Sequence, residues 1–128
     1  MAAPKNMARH LETRLRRSLP HLSEVETGRL LEISRRLIDA YAPESVYLFG
    51  SKGRGDHGPD SDFDLMVIVP DDASGHRANS RLAYQTLRGT GAAADVVVTT
   101  RGQFERRLHV RASLPATVVR EGVLLYGG

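Results

Sequence analysis

YLFGSKGRGDHGPDSDFDLMVIV, residues 47–69, is the stretch on which the fold turns. Its two ends are apolar and rich in β-branched or aromatic residues, so each reads as a strand, Ser45–Phe49 and residues 62–69. Between them, residues 50–61 contain four Gly and one Pro, the composition of a loop, with room for one helical turn at its start. A glycine directly after a buried strand lets the backbone bend sharply and approach a ligand closely. Asp62 and Asp64 stand two residues apart at the head of the second strand, so both carboxylates project from one face. Phe63, Leu65, Val67 and Val69 make an apolar row on the other.

Upstream, Met7, Leu11, Leu15 and Leu19 recur every four residues, which predicts a helix over about 6–19 that Pro20 ends. Ser23 can cap a second helix running to about Tyr41, with Leu30, Leu31, Ile33, Leu37 and Ile38 on its buried face and Pro43 behind it. Downstream, residues 70–75 turn the chain into a helix expected over about 76–88, closed by Gly89. Residues 94–100, ADVVVTT, form a third strand, and Thr100 with Gln103 has capping-box spacing for a helix through about Val110. A short helical segment follows Pro115, and Val123–Tyr126 is a final strand. This order predicts an α/β (α+β) domain, a small mixed sheet of about four strands flanked by helices. A chain of 128 residues fits one such core and leaves little room for a second.

The net charge of +3 hides an uneven distribution. Residues 1–40 carry eight basic and five acidic side chains, residues 41–75 two basic and seven acidic, and residues 76–128 eight basic and three acidic. Six of the seven acids in the middle stretch are Asp, a short carboxylate suited to turns and to hard cations. There is no cysteine, which excludes disulfides, thiolate zinc sites and cysteine nucleophiles. No apolar run is long enough for a membrane span and no signal peptide opens the sequence, so a cytoplasmic location is expected. With three Phe, four Tyr and no Trp, a base-stacking platform is poorly supplied, and direct nucleic-acid binding is not expected. The five histidines show no ligand spacing; His57 reads as a solvated loop residue, and the arginine pairs read as solvated helix faces.

Two like charges side by side on a strand repel each other. Either Asp62 and Asp64 mark a solvated strand start, or a divalent cation offsets the cost. Oxygen-only ligands favour Mg²⁺ or Mn²⁺ over Zn²⁺. Asp95, directly before a Val triplet, joins the same cluster if the third strand lies beside the second. Three carboxylates on adjacent strands can serve two-metal phosphoryl or nucleotidyl transfer. Gly50 and Ser51 open a turn whose free N–H groups and hydroxyl suit a phosphate, with Lys52 and Arg54 nearby to neutralise more charge.

As a whole, residues 47–69 resemble the signature of the DNA polymerase β-like nucleotidyltransferases: an apolar strand, Gly-Ser, ten intervening residues, then Asp-x-Asp on the next strand. PESVYLFGS, the Arg-Gly in the loop and SDFDL are similar to the minimal nucleotidyltransferase (MNT) branch. The likeness covers residues 23–126, so 23–128 is expected to be the nucleotidyltransferase domain and 1–22 an N-terminal helical extension. The resemblance implies that Gly50 and Ser51 hold the triphosphate of ATP, and that Asp62, Asp64 and Asp95 are catalytic metal ligands. It also implies that Lys52 or Arg54 holds the charge of the departing pyrophosphate. Lys-Gly at 52–53 departs from the Arg-Ala more usual in the family, replacing a bidentate fork with a point charge.

MNT chains act as antitoxins of HEPN ribonuclease toxins, which implies AMP transfer to a tyrosine hydroxyl of such a partner. Two other functions remain open on the sequence. One is a non-catalytic module that neutralises its partner by covering it. The other is transfer to a small molecule of the aminoglycoside type, whose enzymes usually carry a further helical domain.

Overall fold

The computed structural model describes residues 5–58, 61–75 and 77–127. Its elements are α1 (Lys5–Ser18), α2 (Glu24–Tyr41), β1 (Ser45–Phe49), α3 (Gly50–Arg54), β2 (Phe63–Val69), α4 (Arg81–Thr86), β3 (Ala94–Thr100), α5 (Arg101–Arg107), α6 (Leu114–Glu121) and β4 (Val123–Gly127). The four strands form one mixed sheet in the order β3-β2-β1-β4. β1 is antiparallel to both β2 and β4, whereas β2 and β3 run parallel. The expected α/β architecture is therefore present.

The sheet is buried on both faces. Leu11, Leu15 and Leu19 of α1, Leu30, Ile33 and Leu37 of α2, and Leu65, Val67 and Val69 of β2 share the larger core. Full burial of one such side chain contributes roughly 1.5–3 kcal/mol. The opposite face of β2, Met66 and Ile68, packs with Phe104 of α5 and Val118 of α6 in a second, smaller core. This explains why β2 is apolar at nearly every position after Asp64 instead of alternating. The helix over the first residues contributes to the larger core like any other element.

Local signals set most boundaries. Ser23 and Glu26 form a reciprocal capping box at the start of α2, and Ala42 closes it in a left-handed conformation ahead of Pro43. Thr100 and Gln103 do the same for α5. Two helices are shorter than their expected spans. α4 covers only Arg81–Thr86, because the preceding backbone is spent on docking. The Asn79 carbonyl accepts from Tyr41 Oη at 2.7 Å, and Asn79 Oδ1 accepts from Arg81 N at 2.9 Å. His76, the expected first residue, lies outside the described residues. α5 stops at Arg107 instead of Val110, where Ser113 Oγ donates to the Arg107 carbonyl at 2.6 Å and folds the chain into α6. No helix is long and apolar enough to cross a membrane among the described residues.

Candidate active site

β2 and β3 pair in the register Asp64 with Asp95, Met66 with Val97 and Ile68 with Thr99. Residues paired across a ladder share a face. Asp64 and Asp95 therefore stand side by side, one pair above the apolar floor formed by Met66 and Val97. Asp62 lies just before β2 and is exposed, as is Asp95, while Asp64 is half-buried. The Asp64 carboxyl holds its proton more tightly than an ordinary aspartate. Burial is the largest cause, followed by the charges of Asp95 and then Asp62, with Arg54 acting in the opposite direction. All three sequence-predicted carboxylates and Arg54 thus act electrostatically on one point.

The strand β1 delivers the remaining wall. Phe49 pairs with Asp64 across the ladder, so Gly50 emerges directly against that carboxylate. Gly50 has φ +72, and a Cβ at this position would overlap Asp64 Oδ2. Only glycine meets both conditions, the left-handed backbone and the close approach. Ser51, half-buried, follows in the first turn of α3, and its carbonyl closes the turn by accepting from Gly55 N at 2.9 Å and Asp56 N at 3.1 Å. Arg54 sits at the other end of α3, with Nε 3.2 Å from Asp56 Oδ2 and Nη1 3.9 Å from Glu121 Oε1.

Lys52, expected at the phosphates, lines a cleft with Asp62 and is held from the side of α2. It is buried, its Nζ donates to Glu26 Oε2 at 2.8 Å, and the ammonium lies 4.4 Å from the centre of the Phe63 ring. On a helix turn, the residue after Ser51 points to a different side, and here that side faces α2. His57 is a correction to the solvated position expected of it. Its side chain is mostly enclosed, with Nε2 3.0 Å from Glu26 Oε2, while Nδ1 is buried and finds no partner among the described residues. His21 Nε2 donates to the Lys52 carbonyl at 2.6 Å. Glu26, which sequence reasoning missed, is therefore the hub that ties α2 to α3 and to the loop before β2. Its carboxyl is held down to about 2, by the Lys52 hydrogen bond first and by the Ser23 amide second.

Asp62 borders two clefts. One, of about 290 Å³, includes Glu26, Arg29 and Ser61. The other, of about 320 Å³, includes Tyr84, Leu87 and Arg88. Sequence reasoning passed over Tyr84, because nothing marks an exposed aromatic on α4 as sharing a cleft with Asp62.

Among the described residues, no three or more Asp, Glu or His side chains are grouped so that they could hold a metal ion by themselves. Mg²⁺ needs no such group: it keeps several waters and is typically bound by one or two carboxylates together with substrate phosphates. Asp64 and Asp95, paired across the ladder with Asp62 just before β2, fit that mode.

A family model described as a nucleotidyltransferase domain matches residues 29–124. The chain belongs to this family. Among solved structures, this nucleotidyltransferase is similar to a candidate nucleotidyltransferase from Sulfolobus solfataricus, at 22% identity and TM-score 0.51, covering 99% of this chain and 92% of that one. It is also similar to a toxin–antitoxin complex with AMP-PNP, at 25% identity and TM-score 0.50, covering 75% of this chain and 72% of that one. A third likeness, at 20% identity and TM-score 0.43, is to a complex of tri-AMPylated HEPN toxin with MNT antitoxin from Shewanella oneidensis, covering 78% and 73%. No curated protein matches the sequence.

Proposed function

We propose that this nucleotidyltransferase transfers AMP from ATP to a hydroxyl of a partner protein, a tyrosine of a HEPN-type ribonuclease toxin, and so acts as its antitoxin. The observation that carries the reading is the contact of Gly50 with Asp64, beside Asp95 in the same ladder row. There the backbone bends closely against two neighbouring carboxylates. The likeness to a toxin–antitoxin complex with AMP-PNP supports both the adenine nucleotide and the class of partner.

Asp62, Asp64 and Asp95 would hold Mg²⁺ or Mn²⁺. When bound, the cation supplies positive charge for the triphosphate and lowers the cost of ionising the acceptor hydroxyl. The Gly50–Ser51 turn would bind phosphate oxygens through its backbone N–H groups and the Ser51 hydroxyl. Asp95, exposed and next to Asp64, is positioned to accept the proton of the attacking hydroxyl. That oxygen forms a bond to the α-phosphorus as the bond to the bridging oxygen breaks, and pyrophosphate departs. Arg54, whose field already reaches Asp64, offsets the charge of the leaving group.

The test is incubation with α-phosphorus-labelled ATP, Mg²⁺ and the protein encoded by the neighbouring gene. Label on the partner, absent with Asp62→Ala and Asp64→Ala, is the expected result. Neutralisation of the partner that survives both substitutions would establish a covering module instead.

A further inference from the structure

A groove of about 460 Å³ lies along the outer edge of β3 under α5 and α6, and the proposed catalysis does not use it. We infer that it is the docking site for an extended, acidic segment of the acceptor polypeptide, a reading that rests on the proposed transfer to a protein.

Position comes first. Met66 and Val97, on the groove floor, are the next same-face pair after Asp64 and Asp95. Two residues along a strand advance about 7 Å. A segment seated in the groove therefore leads directly toward the carboxylates. The shape of the groove suits a main chain. Three consecutive residues, Val97, Val98 and Thr99, border it, although alternate residues of a strand face opposite sides. The groove therefore runs beside the strand edge. β3 is the last strand of the sheet, and its outer edge pairs with no other described strand. Such an edge can accept a peptide as an added strand, with the neighbouring groove taking its side chains.

Charge then identifies the occupant. Arg106 and Arg107 line the groove, are exposed, and form no ion pair among the described residues. Arg101 differs, with its Nε 3.2 Å from Glu44 Oε2. Over residues 101–120 there are five Arg against one Glu. Leu108, Val110 and Leu114 are exposed beside them. Unpaired guanidinium groups over an apolar floor match a strand that alternates carboxylates with aliphatic side chains. A nucleic acid would find phosphate partners here but no aromatic ring on which to stack a base.

The full chain is tested with a fluorescent eight-residue peptide of alternating Glu and Val ending in Tyr, its Lys/Val counterpart, and an oligouridylate. Binding is read by anisotropy, and amide exchange is followed over residues 96–100, without ATP or Mg²⁺. The acidic peptide is expected to bind and to slow exchange at the β3 edge. Its affinity should fall about tenfold in the Arg106→Glu, Arg107→Glu double variant and in high salt. Affinity for an ATP analogue, measured separately, should stay within about twofold, which shows that the variant is folded. Equal binding of the Lys peptide, no protection of β3, or preferential binding of the oligouridylate would overturn the inference. Undiminished labelling of the partner by the double variant would also overturn it while leaving the proposed transfer intact. A partner that is never labelled, with peptide binding retained, would defeat the transfer and keep the groove.

Discussion

Gly50 and Asp64 are fitted to each other, and each can be tested by a change of a few atoms. Gly50→Ala puts a Cβ where Asp64 Oδ2 lies and forces an L side chain into a left-handed conformation, which alone costs about 1–2 kcal/mol. Transfer should fall on the order of 10²-fold or more, with a modest loss in Tm. Asp64→Asn should have the opposite effect on stability. The Asp64 carboxyl is held above the ordinary range by burial, Asp95 and Asp62, so its ionised form is disfavoured in the folded chain. Without a divalent cation, the parent should become relatively more stable as pH falls through the carboxylate range, and Asp64→Asn should show a Tm at or above the parent at neutral pH. Its transfer should be lost. Asp62, Asp64 and Asp95 were legible in the sequence because strand periodicity assigns faces and a carboxylate before an apolar run is conspicuous. The pairing of Lys52 and His57 with Glu26 was not legible, because sequence spacing does not fix which side of a single helical turn meets another element.

α3 is a short helix that cannot hold its position by itself. The Glu26 hub fixes it against α2, and Lys52 spans the two with its ammonium over the Phe63 ring. Lys52→Met keeps the stem and removes the charge, leaving Glu26 without its main partner. The expected outcome is a stability loss of roughly 1–3 kcal/mol in denaturant unfolding, larger than any change in ATP affinity. A phosphate-binding Lys52 would give the reverse pattern. Because the Glu26 carboxyl is depressed to about 2, its stabilising contribution is fully present above the ordinary glutamate pKa of 4.5. That contribution is lost as pH falls from there toward 2, and Glu26→Gln should flatten this part of the pH–stability profile. At this scale the sequence revealed which elements exist, because caps and apolar periods are local. It overextended α4 and α5, since the hydrogen bonds that shorten them, from Tyr41 to Asn79 and from Ser113 to Arg107, join distant or later residues.

The whole molecule is a sheet covered on both faces, with its acids gathered at one end of β2 and β3 and its unpaired arginines beside the β3 edge. The four-strand mixed sheet could be expected from the order of elements. The parallel pairing of β2 with β3 could not, yet it alone brings Asp95 beside Asp64. The most direct test of the carboxylate-and-glycine site is calorimetric titration with a non-hydrolysable ATP analogue in the presence of Mg²⁺ and again with EDTA. Binding that requires Mg²⁺ and disappears in both Asp64→Asn and Gly50→Ala is the predicted result. Equal affinity with EDTA, or in either variant, would contradict it.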